Sequence, residues 1–194
     1  YYEFMPAIER HRGDPRLEDP LFAARVLLDS LFKSPYRFTG QMGSSVRIGP
    51  RIAEWKAGSC LDLCDMVVYI FRALGIPCSI EELPLRGDNN VPHYWNAVVD
   101  TAGQTWWFSM FYWKQRLVPA AEYGDVYGKV FRQRFSLNRS LAESLPEAPA
   151  RLHPVFRYPC FDDVTRAYAG EKSFTLSVPG HRLVRPVETG SPLY

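Results

Sequence analysis

The chain has 194 residues, of which 46% are hydrophobic, 23% charged and 14% aromatic. This composition excludes a disordered chain and is typical of one domain of ordinary size, alone or with a small extension. The net charge of +2 gives no reason to expect nucleic acid as a partner, and the longest apolar runs are too short to span a membrane.

The N-terminal part contains one clear helix after a polar, irregular stretch. Asp19 is a good N-cap and Pro20 fits the first helical position. An apolar stripe follows at helical spacing, formed by Leu21, Phe22, Val26, Leu27, Leu31 and Phe32. Residues 34–57 contain several glycines and serines and predict a long loop before the next element.

The second predicted helix begins with a cysteine. Ser59 suits the N-cap, and Asp62 stands three residues later as in a capping box, so Cys60 falls in the first helical turn. Gly75 and Pro77 predict the end of this helix. Backbone N–H groups and the helix dipole at a helix start stabilise a thiolate, so Cys60 is a candidate nucleophile with a lowered pKa. The alternative is that Cys60 is a small buried hydrophobic residue.

Strands are predicted after this helix at about 77–84, 93–100, 105–112 and 129–136. His93 opens the second strand and is a candidate partner for a thiolate–imidazolium pair. Residues 100–103 suit a hairpin turn with Gly103 at a bulge, which predicts that odd-numbered residues of the two joined strands share a face. The aromatic residues from 106 to 113 fit either a strand packed on both faces or a platform that stacks on sugar or peptide.

Three short stretches together resemble the transglutaminase-like superfamily, a papain-like cysteine fold common in bacterial proteins. They are Gly-Ser-Cys-Leu-Asp over 58–62, Arg-Ala-Leu-Gly-Ile-Pro over 72–77 and His-Tyr-Trp-Asn over 93–96, and the similar block runs from about 56 to 110. The resemblance implies an α+β core in which the nucleophile helix packs on an antiparallel sheet. It also implies that Cys60 is the nucleophile and His93 the general base.

The third member of the triad departs from that family. Its members usually carry an Asp on the strand after the histidine strand, and here the position holds Ser109. A serine can orient a neutral imidazole but offers no carboxylate charge to an imidazolium. Asp100 is the alternative third member, although it lies an odd number of residues from His93.

Two functions follow as expectations. The first is a thiol enzyme that cleaves or transfers acyl groups at peptide-type amides through a Cys60 thioester, as a cysteine peptidase, amidase or transglutaminase-like acyltransferase. Its substrate would be a peptide or protein, including one linked to cell wall or glycan. The second is a non-catalytic peptide- or glycan-binding module that keeps the fold without a complete triad.

The remaining cysteines raise further chemistry. Cys64 lies one turn after Cys60, so a metal site with His93 or a redox pair is conceivable. We prefer core packing for Cys64, because it falls on the apolar stripe, and we expect neither a metal nor another cofactor. Cys78 and Cys160 could pair in an oxidising compartment.

The sequence predicts a transglutaminase-like domain over 1–145 and a proline-rich extension over 146–194. Seven of the sixteen prolines lie in the last 50 residues, and residues 173–178 alternate like a strand, so the extension can be the edge of a further β module. By analogy with bacterial domains of this type, we expect further domains in the full-length protein. The same analogy predicts an extracytoplasmic location, in the periplasm, at the cell surface or secreted.

Overall fold

The computed structural model describes residues 2–39, 51–86, 91–110, 116–124, 128–144 and 159–169. Its helices are α1 (Met5–Glu9), α2 (Pro20–Leu31), α3 (Ile52–Trp55), α4 (Cys60–Ala73), α5 (Arg139–Ser144) and α6 (Thr165–Ala169), with 3-10 turns at Pro15–Glu18 and Ala120–Glu122. None of the helices in these ranges is long and apolar enough to cross a membrane.

The strands form one large antiparallel sheet and one small parallel pair. The large sheet consists of β3 (Cys78–Leu83), β4 (His93–Val99), β5 (Thr105–Phe108), β6 (Val118–Pro119), β7 (Phe131–Gln133) and β8 (Phe161–Asp163). Its order is β6-β5-β4-β3-β7-β8, and every neighbouring pair is antiparallel. The predicted α+β class and antiparallel sheet are confirmed.

The segment 34–57 differs from the predicted long loop. Its described parts contain α3 and the parallel pair of β1 (Arg37–Phe38) and β2 (Ala57–Gly58). A parallel pair needs a connection longer than a hairpin turn, and the loop-type composition of 34–57 gives no signal for the two-residue strands within it. The predicted strand at 173–178 lies outside the described residues.

The start of α2 and both ends of α4 lie where the local sequence predicts. The Asp19 carboxylate accepts a hydrogen bond of 2.9 Å from the backbone N–H of Leu21, which caps α2. Gly75 follows α4 with a φ of +80°, and the N–H of Ile76 bonds back to the carbonyl of Phe71 at 2.9 Å. This is the glycine-terminated helix end that the sequence indicates.

One face of the sheet packs against α2 and α4. Even-numbered residues of β3, β4 and β5 contribute Ile80, Val98 and Phe108 to this core, and the Phe108 ring stacks on Phe71 of α4 at 5.4 Å between centroids. Burying each such side chain contributes about 1.5–3 kcal/mol to folding. The core therefore fixes α4, and with it Cys60, against β3 and β4.

The other face carries a second, aromatic core. Odd-numbered residues such as Leu83 and Trp95 pack there with Tyr123, Val130 and Tyr168. Since Tyr168 belongs to α6 and β8 pairs with β7, residues 159–169 complete the same sheet and core as the preceding chain. The predicted boundary after residue 145 therefore does not separate this segment from the domain.

Candidate active site

The start of α4 is held by reciprocal hydrogen bonds between Ser59 and Asp62. The Asp62 carboxylate accepts from the backbone N–H of Ser59 at 2.9 Å and from its hydroxyl at 2.6 Å, while the Asp62 N–H donates to Ser59 Oγ at 3.3 Å. The predicted capping box is confirmed. It makes Cys60 the first residue of the helix.

A close backbone approach precedes the cap. A Cβ atom on Gly58 would stand 2.8 Å from Asp62 Cβ, so only glycine fits at this position without displacing the helix start. Gly58 also pairs with Phe38 across the parallel ribbon. The ribbon and the cap thus position Cys60 from its N-terminal side.

The Cys60 sulfur is partly buried and lies near three backbone N–H groups. Those of Tyr94, Leu61 and Cys60 itself interact with the sulfur and favour the thiolate. Burial disfavours the charged form more strongly, and the Asp62 carboxylate adds to this, so the pKa of Cys60 is raised from its ordinary value of 9.0. The expected lowering of this pKa was wrong, because desolvation outweighs the helix-start donors.

The contact with Tyr94 brings Cys60 to the beginning of β4. Tyr94 follows His93 directly, so the sulfur lies beside the backbone of the strand residue next to the candidate base. The His93 ring lies 5.7 Å from the Trp95 ring, centroid to centroid, and by strand alternation belongs to the face opposite α4. Cys60 and His93 thus lie at the same end of β4 but, by alternation, on opposite faces of the sheet.

Ser109 lies just past the end of β5. The register pairs Asn96 with Phe108 and Ala97 with Trp107, so odd-numbered residues of β4 and β5 share a face, as predicted. Gly103 has a φ of +82° and closes the predicted bulged turn. Ser109 is buried and directly follows the last strand residue, Phe108, so no register pair fixes its face. Its contact with the imidazole stays a prediction.

The structure does not bring Asp100 together with His93. The two residues stand at opposite ends of β4, about 23 Å apart at the usual rise per strand residue. One Asp100 carboxylate oxygen accepts from the backbone N–H groups of Ala102 and Gln104, and the other accepts from the Trp106 indole at 2.9 Å. The Trp106 bond is the largest cause that lowers the pKa of Asp100. Asp100 therefore organises the hairpin.

Cys64 lies in the core, one turn after Cys60. It is buried among apolar side chains, which confirms the core-packing interpretation, and its backbone carbonyl accepts from Asn96 Nδ2 at 3.1 Å. No group of three or more potential metal ligands occurs in the described part of the chain. Cys78 and Cys160 are both free, the first buried on β3 and the second exposed.

Sequence reasoning missed two residues that shape this region. Asn96 is fully buried between β4 and α4, and its amide also donates to the Ser79 carbonyl at 3.3 Å. The backbone N–H of Tyr94, a residue of β4, is the largest of the contributions that favour the Cys60 thiolate. An asparagine within an apolar strand is a signal that could have indicated the role of Asn96. The role of Tyr94 comes from its backbone N–H, which every residue but proline has, so the sequence gives no signal of it.

Comparisons of the chain with protein-family models, with curated proteins and with solved structures found no match. The chemistry of the candidate site is therefore argued from its own residues.

Proposed function

We propose that the protein is a thiol enzyme of papain-like architecture that forms a thioester on Cys60. The observation that carries the proposal is the position of the Cys60 sulfur, in the first turn of α4 and against the Tyr94 N–H at the start of β4. His93 is the adjacent strand residue. Nucleophilic acyl transfer needs the two side chains within hydrogen-bond reach, so the proposal requires the His93 ring to turn at the strand end towards the Cys60 sulfur.

In the proposed reaction the Cys60 sulfur attacks the carbonyl carbon of a peptide-type amide while His93 takes the thiol proton. The backbone N–H of Cys60 stabilises the oxyanion. His93 then returns the proton to the leaving amine, which breaks the carbon–nitrogen bond and leaves a thioester on Cys60. Water releases the acyl group as an acid, whereas a second amine takes it in transamidation.

The electrostatics of the site make this a slow enzyme. Burial raises the pKa of Cys60, so the resting nucleophile is a thiol that depends on His93 for activation. In the proposed triad Ser109 takes the place of the carboxylate that would stabilise the imidazolium. Both features lower the fraction of molecules that carry the Cys60 thiolate and the His93 imidazolium at neutral pH.

Acylation by p-nitrophenyl acetate tests the proposal. We expect a burst of p-nitrophenol close to one per chain, with the acetyl group on the peptide that contains Cys60. Cys60→Ser should abolish the burst, and Cys160→Ser, which removes an exposed free thiol, should leave it unchanged. His93→Ala should slow acylation at least about ten-fold, as loss of a general base does, while His11→Ala should not.

The rival function is a peptide- or glycan-binding module. The raised pKa of Cys60 and the serine at position 109 are the observations that favour it. An acetyl label that follows thiol exposure, with Cys160 labelled ahead of Cys60 and no effect of His93→Ala, would contradict the enzyme and favour this module.

A further inference from the structure

A cavity of about 270 Å³ lies far along the chain from Cys60, between α2 and the segment that leads into β6. Its lining residues are Arg25, Leu28, Asp29, Phe32, Arg116 and Leu117. The first four lie at helical spacing on one side of α2, and the last two precede the sheet-edge strand β6. None of them takes part in the proposed thiol chemistry.

The Arg25 guanidinium is held in place by the hairpin. It lies over the Trp106 ring, 5.6 Å from the centroid, within the range of a cation–π contact. The Trp106 indole is fixed by its hydrogen bond to Asp100, whose other carboxylate oxygen is bound in the turn. A hairpin residue thus orients a cationic side chain at the cavity rim, so less side-chain entropy is lost when that cation binds a ligand.

The rim carries two cations that have no anionic partner within the described ranges. Neither Arg25 nor Arg116 forms an ion pair with a carboxylate there, and Asp29 is the lone acid among the lining residues. The formal charge of the lining is therefore +1, from two arginines and one aspartate. Guanidinium groups bind carboxylates through paired N–H donors.

We infer that this cavity binds a small amphipathic carboxylate, with the anion between Arg25 and Arg116 and the apolar chain on Leu28, Phe32 and Leu117. Leu28 is buried and the other two are partly buried, so they form an apolar floor below the charged rim. The charges favour an anion over a neutral molecule, and the floor favours an apolar chain over a bare carboxylate. The site is separate from Cys60.

Octanoate is the probe that tests the inference. Octanol, which has the apolar chain but no carboxylate, and acetate, which has the carboxylate but no long apolar chain, are the references. In an NMR titration at low salt, we expect octanoate to shift the Arg25 Nε–H signal and the Leu28 backbone signal with a Kd on the order of 1 mM. Octanol and acetate should bind at least about ten-fold more weakly. Arg25→Gln and Arg116→Gln should each weaken octanoate binding about ten-fold.

Arg12→Gln is the matched control, because Arg12 is exposed, pairs with Glu9 and lies outside the cavity lining. It should leave the Kd unchanged. Asp29→Asn should tighten octanoate binding a few-fold, since it removes the acid at the rim. Equal affinity for octanoate and octanol, equal effects of Arg12→Gln and Arg25→Gln, or weaker binding in Asp29→Asn would overturn the inference.

Discussion

At the scale of single residues, Cys60 shows two opposing effects on one thiol. The helix start and the Tyr94 N–H favour the thiolate, while burial and the Asp62 carboxylate oppose it. Asp62 is needed for the cap that places Cys60 in the first turn, so the same carboxylate positions the sulfur and raises its pKa. The position of the Cys60 sulfur in the first helical turn therefore does not by itself lower the pKa of the thiol.

The raised pKa predicts an alkaline profile for Cys60 alkylation. Because the thiolate is the reactive species, its reaction with iodoacetamide should keep rising above pH 9.0, the ordinary pKa of a cysteine thiol. Peptide mass spectrometry with N-acetylcysteine as an internal reference gives the rate at each pH. A rate that levels off below about pH 7 would instead indicate a thiolate–imidazolium pair with His93.

Ser109→Asp tests the third position of the proposed triad. In the proposed triad a carboxylate at position 109 should stabilise the imidazolium and raise the rate of Cys60 acylation by about ten-fold or more. Ser109→Asn is the matched control, since it has nearly the same shape without the charge. Ser109 is buried, so both variants should lose stability, which thermal unfolding measures. Equal acylation rates in the two variants would contradict a role for charge at this position.

At the scale of elements, the turn between β4 and β5 sets the register that orders the two faces of the sheet. Gly103 supplies the positive φ, and Asp100 accepts the N–H groups of the turn. With this register, Phe108 packs towards α4 while Trp107 packs on the opposite face. The strand is thus packed on both sides, and its aromatic side chains are part of the two cores.

Two glycines, Gly103 in this hairpin and Gly128 before β7, separate the effect of backbone strain from that of crowding. A Cβ would meet nothing within 4 Å at Gly103 or at Gly128, but only Gly103 of the two has a positive φ. Gly103→Ala should therefore lower the free energy of unfolding by about 1–2 kcal/mol, the cost of a left-handed conformation. Gly128→Ala should change it by less than about 1 kcal/mol. Urea unfolding of both variants measures the difference, and equal losses would show that strain at Gly103 is not the cause.

The features that the sequence predicted are those with local causes. Ser59 begins α4 and Gly75 follows its end, and both depend on hydrogen bonds between residues about one turn apart. Gly103 closes a turn of a few residues. The direction of the Cys60 pKa depends instead on burial by distant elements. The contact of Glu81 with Arg132 joins residues 51 apart along the chain, and neither side chain carries a local signal of it.

At the scale of the whole molecule, a buried polar cluster joins the C-terminal elements to the central strand. Glu81 of β3 is fully buried and accepts from Arg132 Nε at 2.8 Å, and Arg132 also donates to Thr105 at 2.9 Å. The Tyr168 hydroxyl accepts from the Trp95 indole at 2.7 Å and donates to the second Glu81 oxygen. One carboxylate thus connects β7 and α6 with β3 and the His93 strand.

The burial of Glu81 predicts how stability depends on pH. Burial raises the pKa of Glu81 above its ordinary value of 4.5, against the opposing effect of Arg132. The folded chain therefore binds the Glu81 proton more tightly than the unfolded chain. This contribution is fully present below pH 4.5 and is lost as the pH rises through the raised pKa of the folded state.

Glu81→Gln keeps the shape of the side chain and removes its titration. The difference in unfolding free energy, wild type minus Glu81→Gln, should fall as the pH rises from about 4 to about 7, with a slope of at most about 1.4 kcal/mol per pH unit. Urea unfolding at several pH values measures it, and Glu122→Gln, at an exposed position, should give a flat difference. A difference that grows with pH would mean that the ion pair with Arg132 outweighs burial, because the charged form of Glu81 would then be the one that the fold stabilises.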